Sequence, residues 1–204
     1  FFDIEGFPWA IGGLEYLLGV VTVDEGAPQF RDWWAHDERQ EKHAFEQFID
    51  WVYARWQADK TLHIYHYAAY ERTALCRLMG KYGTREFEVD QLLRHNVLVD
   101  LYPVVHQGMV VGTPSYSLKD VEHLYMPRRT GEVTSAGGSV VEYQRWIDLQ
   151  ESQDPAESPV LGRISNYNKV DCESTVGSRD CLLVLQHEAE IGWITLRPPE
   201  HAES

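Results

Sequence analysis

The chain is poor in cysteine and in positive charge. Its 204 residues include three cysteines, an odd number with no CxxC spacing. That pattern predicts neither a disulfide framework nor a zinc ribbon, and we expect a reducing, cytoplasmic setting. Lys and Arg number 18 against 32 Asp and Glu, which gives a net charge of −14. This deficit argues against a histone-like protein that binds nucleic acid by charge alone.

Long apolar runs and several common catalytic motifs are also missing. No run approaches the roughly 20 apolar residues of a membrane-spanning helix, so we expect no membrane partner. The sequence contains no P-loop, no HExxH and no GxSxG. Nucleotide binding through a P-loop and the corresponding metalloprotease and α/β-hydrolase chemistries are therefore not indicated.

The hydrophobic pattern predicts an α/β order of elements. In chain order, these are strands at 1–6, 14–21 and 30–35, a helix at 38–57, a strand at 61–66, helices at 70–79 and 86–95, and a long helix at 159–188. Gly80 is expected to end the second helix. We predict a mixed β-sheet, with an antiparallel N-terminal meander and parallel strands, flanked by α-helices.

A chain of this length has room for one sizeable domain, which we assign to 1–188. Segment 189–204 contains Arg197-Pro198-Pro199-Glu200 and is predicted to be a linker into a further domain. The chain starts on apolar residues with neither an initiator Met nor a signal-peptide pattern. We therefore expect a domain of a longer polypeptide.

Two carboxylates stand at the start of the first predicted strand. Side chains alternate along a strand, so Asp3 and Glu5 face one way and Ile4 the other. Burying two unpaired carboxylates together is costly, and a hard divalent cation with oxygen ligands offsets that cost. The alternative is a strand end with two solvated acids.

A second acidic position lies on the last predicted helix. Tyr167 and Asp171 are four residues apart and share one helical face with Ile164 and Thr175. Asp is rarely buried without a partner. If this face packs against the strand that carries Asp3, a shared metal ion is the expected partner.

Together these motifs resemble those of the DEDD exonucleases of the ribonuclease H-like superfamily. Asp3-Ile4-Glu5-Gly6 is similar to their first motif, and Tyr167-xxx-Asp171 to the third motif in its tyrosine (DEDDy) form. The run YNKVDCESTVGSRDCL, 167–182, resembles the YprB-like domains in particular. The resemblance implies a ribonuclease H-like fold over nearly the whole chain.

The second motif of that family has a counterpart with two replacements. Its usual Asn, three residues, aromatic and Asp correspond to His66-Tyr67-Ala68-Ala69-Tyr70-Glu71. His66 stands where Asn is expected, and Glu71 where Asp is expected. Glu71 keeps the carboxylate but reaches one methylene further, which puts the strength of a second metal site in question.

The resemblance implies two-metal phosphodiester hydrolysis with Mg²⁺ or Mn²⁺. Asp3 would bridge the two ions, Asp171 would complete the site that activates water, and Glu5 would hold the second ion with help from Glu71. Tyr167 would orient the attacking water, because a phenol with an ordinary pKa near 10 is a poor base at neutral pH.

The same resemblance implies a 3′→5′ exonuclease acting on nucleic acid with a single-stranded 3′ end, DNA rather than RNA, in repair or processing. It also implies RecB-like nuclease or helicase segments in the same polypeptide. The main rival is a catalytically weak or inactive nucleic-acid-binding module of such a protein. The others are a ribonuclease on the same scaffold and an interaction domain whose acids are solvated.

Three further residues are candidate substrate contacts. Phe7 follows the first motif, where an aromatic ring can stack on a terminal base, and core packing is the alternative. His66 is a candidate contact or a structural hydrogen-bonding residue at a strand end. Lys119, in a Ser-Leu-Lys element similar to one in related domains, is a candidate phosphate contact or a solvated charge.

Overall fold

The structure is a computed structural model that describes residues 1–24, 27–127 and 136–192. Strands β1 (Phe2–Phe7), β2 (Leu14–Thr22) and β3 (Gln29–Trp34) form an antiparallel sheet in the order β1-β2-β3, and β4 (Ile64–His66) pairs in parallel with β5 (Leu98–Asp100). The helices are α1 (Glu38–Ala58), α2 (Tyr70–Tyr82), α3 (Glu86–Arg94), α4 (Leu101–Gly108), α5 (Leu118–Val121), α6 (Ala136–Leu149) and α7 (Pro159–Glu188), with a 3-10 helix at Glu122–Leu124. This confirms the predicted α/β fold with an antiparallel meander and parallel strands.

Each face of the three-stranded sheet is covered by helices. On one face, Phe2 and Ile4 of β1 belong to a buried core that includes Phe48, Ile49 and Val52 of α1. On the other face, residues of β1 and β2 pack against α6 and α7. Because side chains alternate along β1, the face that does not meet α1 carries Asp3 and Glu5.

Helix α7 crosses the sheet unusually close to β2. Gly19 of β2 pairs with Asp3 of β1, and a Cβ atom at Gly19 would overlap the side-chain amide of Asn168 on α7. The Cys172 thiol, one turn later on α7, donates to the Gly19 carbonyl oxygen at 3.3 Å. The glycine therefore allows the middle of α7 to lie directly over β1 and β2.

Helix α2 ends at a different glycine from the predicted one. Gly80 does not end its helix as predicted, because α2 continues to Tyr82 and ends at Gly83, whose φ of 54° lies in the left-handed region that favours glycine.

Later in the chain, the short strand β5 precedes α4 in a stretch that the sequence pattern leaves unassigned. The predicted linker lies almost wholly outside the described residues, which end at 192.

Among the described helices, none combines the length and apolar character needed to cross a membrane.

Candidate metal centre

Three carboxylates from distant parts of the chain meet at one point. Asp3 and Glu5 project from β1 toward α7, and Asp171 lies on α7. Oxygen atoms of the three side chains all lie within 4.8 Å of one another. Strand alternation puts the first two on one face, and the close approach of α7 at Gly19 brings the third to them.

Two neutral side chains hold these acids in position. Asn168 Nδ2 donates to Asp3 Oδ2 at 2.7 Å and to the main-chain oxygen of Asp3 at 3.3 Å. Ser139, in the first turn of α6, donates its hydroxyl to Glu5 Oε2 at 2.6 Å. Hydrogen bonds to an ionised acceptor are the stronger kind, so α7 fixes Asp3 and α6 fixes Glu5.

Burial and mutual repulsion both oppose ionisation at this site. Glu5 and Asp171 are 5% and 6% exposed. Burial raises the pKa of Asp3 well above its ordinary value, and the charges of Asp171 and Glu5 raise it further. Burial also raises the pKa of Glu5 to about 8, opposed by the hydrogen bond from Ser139.

A bound divalent cation would offset both effects. Its positive charge would stabilise the ionised carboxylates and outweigh the repulsion between them. Carboxylate oxygens are the ligands that Mg²⁺ and Mn²⁺ take in proteins. The donor set of Asp3, Glu5 and Asp171 therefore fits a hard divalent ion.

Glu71 lies in the wall of the same cleft but outside this group of three. It stands in the first turn of α2, and its Oε2 is 3.5 Å from His66 Nδ1. Burial raises the pKa of Glu71, whereas the neighbouring imidazole of His66 lowers it. Glu71 is thus near the three acids, with its position set by a buried imidazole.

His66 is buried at the end of β4. It is 1% exposed, and its Nδ1 lies 2.7 Å from the carbonyl oxygen of Ala68. This burial favours the hydrogen-bonding role at the end of β4, and a substrate contact by His66 stays a prediction.

Tyr167 and Lys119 form a pair beside the acids. Tyr167 precedes Asp171 by one helical turn, and Lys119 Nζ donates to its hydroxyl oxygen. The same amine lies 4.6 Å from the centre of the tyrosine ring. Lys119 is half-buried in the cleft wall. It is therefore not fully solvated, as it would be under the alternative to a phosphate contact.

The cleft above the acids has a volume of about 1120 Å³. Among the described residues that line it, the cations are Lys119 and Arg77. Phe7 also borders it but is only 5% exposed, with its ring centre 5.1 Å from that of Tyr143. Its ring therefore packs in the core between β1 and α6, which favours the core-packing alternative, and base stacking by Phe7 stays a prediction.

Sequence reasoning missed three residues that shape the site. Asn168 had a detectable signal, because it lies four residues after Ile164 on the face of the last helix that packs on the sheet. Ser139 had none, since its role depends on where α6 docks. Asp100 had none either: its Oδ1 accepts from the main-chain N–H of Ala68 at 2.8 Å and so holds the loop that precedes Glu71.

Comparison with known proteins identifies a family whose members share this kind of fold. The RNase_H_2 family, of the RNase_H superfamily, matches residues 1–179. No curated protein and no solved structure matches the chain significantly.

The fold and the acidic group define a protein of the ribonuclease H-like class. Because the family match covers most of the sequence, the chain belongs to the RNase H superfamily. Members of this superfamily are generally nucleases that use divalent metal ions, and their fold implies nucleic-acid binding. The exonuclease and YprB-like parts of the resemblance remain predictions.

Proposed function

We propose that this domain is a metal-dependent 3′→5′ exonuclease that hydrolyses phosphodiester bonds with two divalent ions. The observation that carries the proposal is the convergence of Asp3, Glu5 and Asp171, whose oxygen atoms lie within 4.8 Å of one another in the wall of a large cleft. Membership of a superfamily of nucleases supports the same reaction class.

The four acids have distinct positions in this proposal. Asp3, whose pKa is raised by the charges of both Asp171 and Glu5, would bridge the two ions, as the resemblance implies. Asp171 would complete the ion site on the side of the attacking water. Glu5 would hold the other ion, and Glu71 would reach it directly or through water. Bound ions would supply the charge stabilisation at the attacking and leaving oxygens.

Tyr167 and Lys119 would orient the reacting water and phosphate. The amine of Lys119 fixes the position of the tyrosine oxygen one turn before Asp171. Positioning, and not proton abstraction, is the proposed role of Tyr167. A positive charge beside the acids also suits a phosphate group in a site that is otherwise negative.

The proposed substrate is a nucleic-acid strand with a single-stranded 3′ end, DNA rather than RNA, and the products are nucleoside 5′-monophosphates. Repair or processing is the proposed role, in a polypeptide that also carries RecB-like nuclease or helicase domains. These finer points rest on the resemblance of the three motifs, 3–6, 66–71 and 167–171, to those of the DEDDy exonucleases.

One observation favours a second candidate, a catalytically weak nucleic-acid-binding module. Glu71, the replacement in the second motif, lies outside the group formed by Asp3, Glu5 and Asp171. A weaker second ion would reduce the rate of hydrolysis and leave strand binding in place.

The test is cleavage of end-labelled single strands. Wild-type protein is incubated with DNA or RNA in Mg²⁺, Mn²⁺ or EDTA, and the Asp171→Asn variant is compared with Asp180→Asn, an exposed position on the same helix. We expect metal-dependent shortening from the 3′ end, 5′-monophosphate products, and loss of cleavage in Asp171→Asn alone.

Other outcomes separate the alternatives. Strand binding without cleavage in either metal would favour the binding module. Faster cleavage of RNA than of DNA would overturn the substrate assignment. Undiminished cleavage by Asp171→Asn would refute the catalytic role of the acidic group.

A further inference from the structure

The cleft extends well beyond the three acids. Its volume of about 1120 Å³ exceeds the roughly 300–1,000 Å³ of a pocket for one small molecule. Lys119 is at the acidic end, where it contacts Tyr167. Arg77, the other cation among the described lining residues, belongs to α2 and lies beside Gly13 of the loop between β1 and β2.

Arg77 is held in place by a buried glutamate. Arg77 Nη2 donates to Glu15 Oε1, and Glu15 also accepts from the Tyr70 hydroxyl at 3.0 and 3.1 Å. Glu15 is 3% exposed, whereas the side chain of Arg77 is 40% exposed. A guanidinium carries five donors in a rigid fork, so one carboxylate contact leaves donors of Arg77 directed at the cleft.

The position of this pair along β1 sets its distance from the acids. Glu15 pairs with Gly6, three residues after Asp3, and a strand rises about 3.3 Å per residue. Arg77 is therefore anchored beside a part of the cleft that lies about 10 Å along β1 from the backbone of Asp3. A strand bound at the acids would bring a phosphate other than the reacting one to this position.

We propose that Arg77, preorganised by Glu15, binds a backbone phosphate of the substrate strand other than the phosphate at the bond that is cut. This inference rests on the proposed function for its substrate class and deepens it. A fixed side chain loses little freedom on binding, and a guanidinium matches a phosphate better than an ammonium does.

The same helix provides a matched control. Lys81, one turn after Arg77, pairs with the buried Glu41 at 2.8 Å. Each cation thus neutralises one buried glutamate, but neither Lys81 nor Glu41 lines the cleft. Arg77→Gln and Lys81→Gln are expected to affect stability in similar ways, and only the first removes a cation from the proposed path of the strand.

The experiment measures binding of a fluorescein-labelled thymidine dodecamer by anisotropy, with Ca²⁺ in place of Mg²⁺ and with the probe checked for intactness. We expect Arg77→Gln to weaken binding about tenfold, the loss typical of a charged hydrogen bond. The slope of log affinity against log salt should fall by about 0.7, the value for one phosphate contact on a single strand. Lys81→Gln should bind as wild type does.

Thymidine 5′-monophosphate serves as a competitor that is too short to reach Arg77 from the acids. It should compete equally well against wild type and Arg77→Gln. Arg77→Lys retains a charge beside Glu15, so it keeps the inference testable if Arg77→Gln fails to fold. It is expected to fold and still to bind the dodecamer more weakly than wild type does.

Several results would overturn the inference. These are equal binding by Arg77→Gln and Lys81→Gln, an unchanged salt slope, an equal loss for the mononucleotide, or dodecamer binding by Arg77→Lys as tight as that of wild type. Failure of the proposed function looks different: strand binding would still depend on Arg77, but no metal-dependent cleavage would occur.

Discussion

Replacing Asp171 by Asn should make the metal-free protein more stable while it removes metal binding. The substitution keeps the size of the side chain and deletes one of three charges whose oxygens lie within 4.8 Å of one another. A buried ligand set without its ion is a source of repulsion. Most substitutions of buried residues destabilise, so the expected sign is unusual and informative.

The size of the effect follows from the distances. Two unit charges 4.8 Å apart repel by about 3.5 kcal/mol at an effective dielectric constant of about 20, and Asp171 takes part in two of the three pairs. Burial raises the pKa of Asp3 and Glu5, so these neighbours shed part of the repulsion by binding protons. We expect a net gain of about 2–4 kcal/mol near pH 8, or roughly 4–16 °C in Tm.

The assay is thermal unfolding in EDTA followed by titration with Mn²⁺. Wild type should gain about 2.7 kcal/mol when the free ion is at about 100 times its Kd, whereas Asp171→Asn should gain almost nothing. Asp180→Asn is the control, because Asp180 lies on the same helix and is 54% exposed in a pair with Arg179. Such surface pairs contribute about 0–1 kcal/mol.

Two results would refute this reasoning. A metal-free Asp171→Asn protein that melts below wild type would show that the acids do not repel one another in the folded state. Equal stabilisation of wild type and variant by Mn²⁺ would place the ion elsewhere.

Three further predictions concern the supports of the site. Because the folded-state pKa of Glu5 is about 8 and its ordinary value is 4.5, the folded protein keeps a proton that the unfolded chain loses. The free energy of unfolding in EDTA should therefore fall by up to about 1.4 kcal/mol per unit between about pH 5 and pH 8, and flat urea-unfolding data would contradict this. Ser139→Ala should weaken Mn²⁺ binding about tenfold in a calorimetric titration, since it removes the hydrogen bond to Glu5. Ser165→Ala is the control and should leave Mn²⁺ binding unchanged, because Ser165 on α7 donates to Asp32 Oδ2 at 3.2 Å and not to one of the three acids. Gly19→Ala should lower the free energy of unfolding by about 1–3 kcal/mol because α7 must move; Gly80→Ala, in an open helical position, should raise it by up to about 1 kcal/mol.

The parts of the site that could be predicted from sequence follow from local periodicity. Alternation along β1 is enough to put Asp3 and Glu5 on one face, and the helical repeat is enough to align Tyr167 with Asp171. Both relations depend only on the type of element, and both elements are long enough to be recognised. The α/β order was predictable for the same reason.

The remaining features depend on how elements dock, which no local pattern encodes. Lys119 meets Tyr167 across 48 residues of sequence, and Arg77 meets Glu15 across 62. In each pair the partner of the cation is identified only after α5 or α2 is placed, so the sequence indicates Lys119 only as a candidate phosphate contact and does not single out Arg77. An acidic protein needs few cations to bind a phosphate backbone if each is fixed at the right place. The net charge of −14 therefore argues against binding by charge alone, whereas a cleft whose described lining includes two fixed cations is compatible with a strand of nucleic acid.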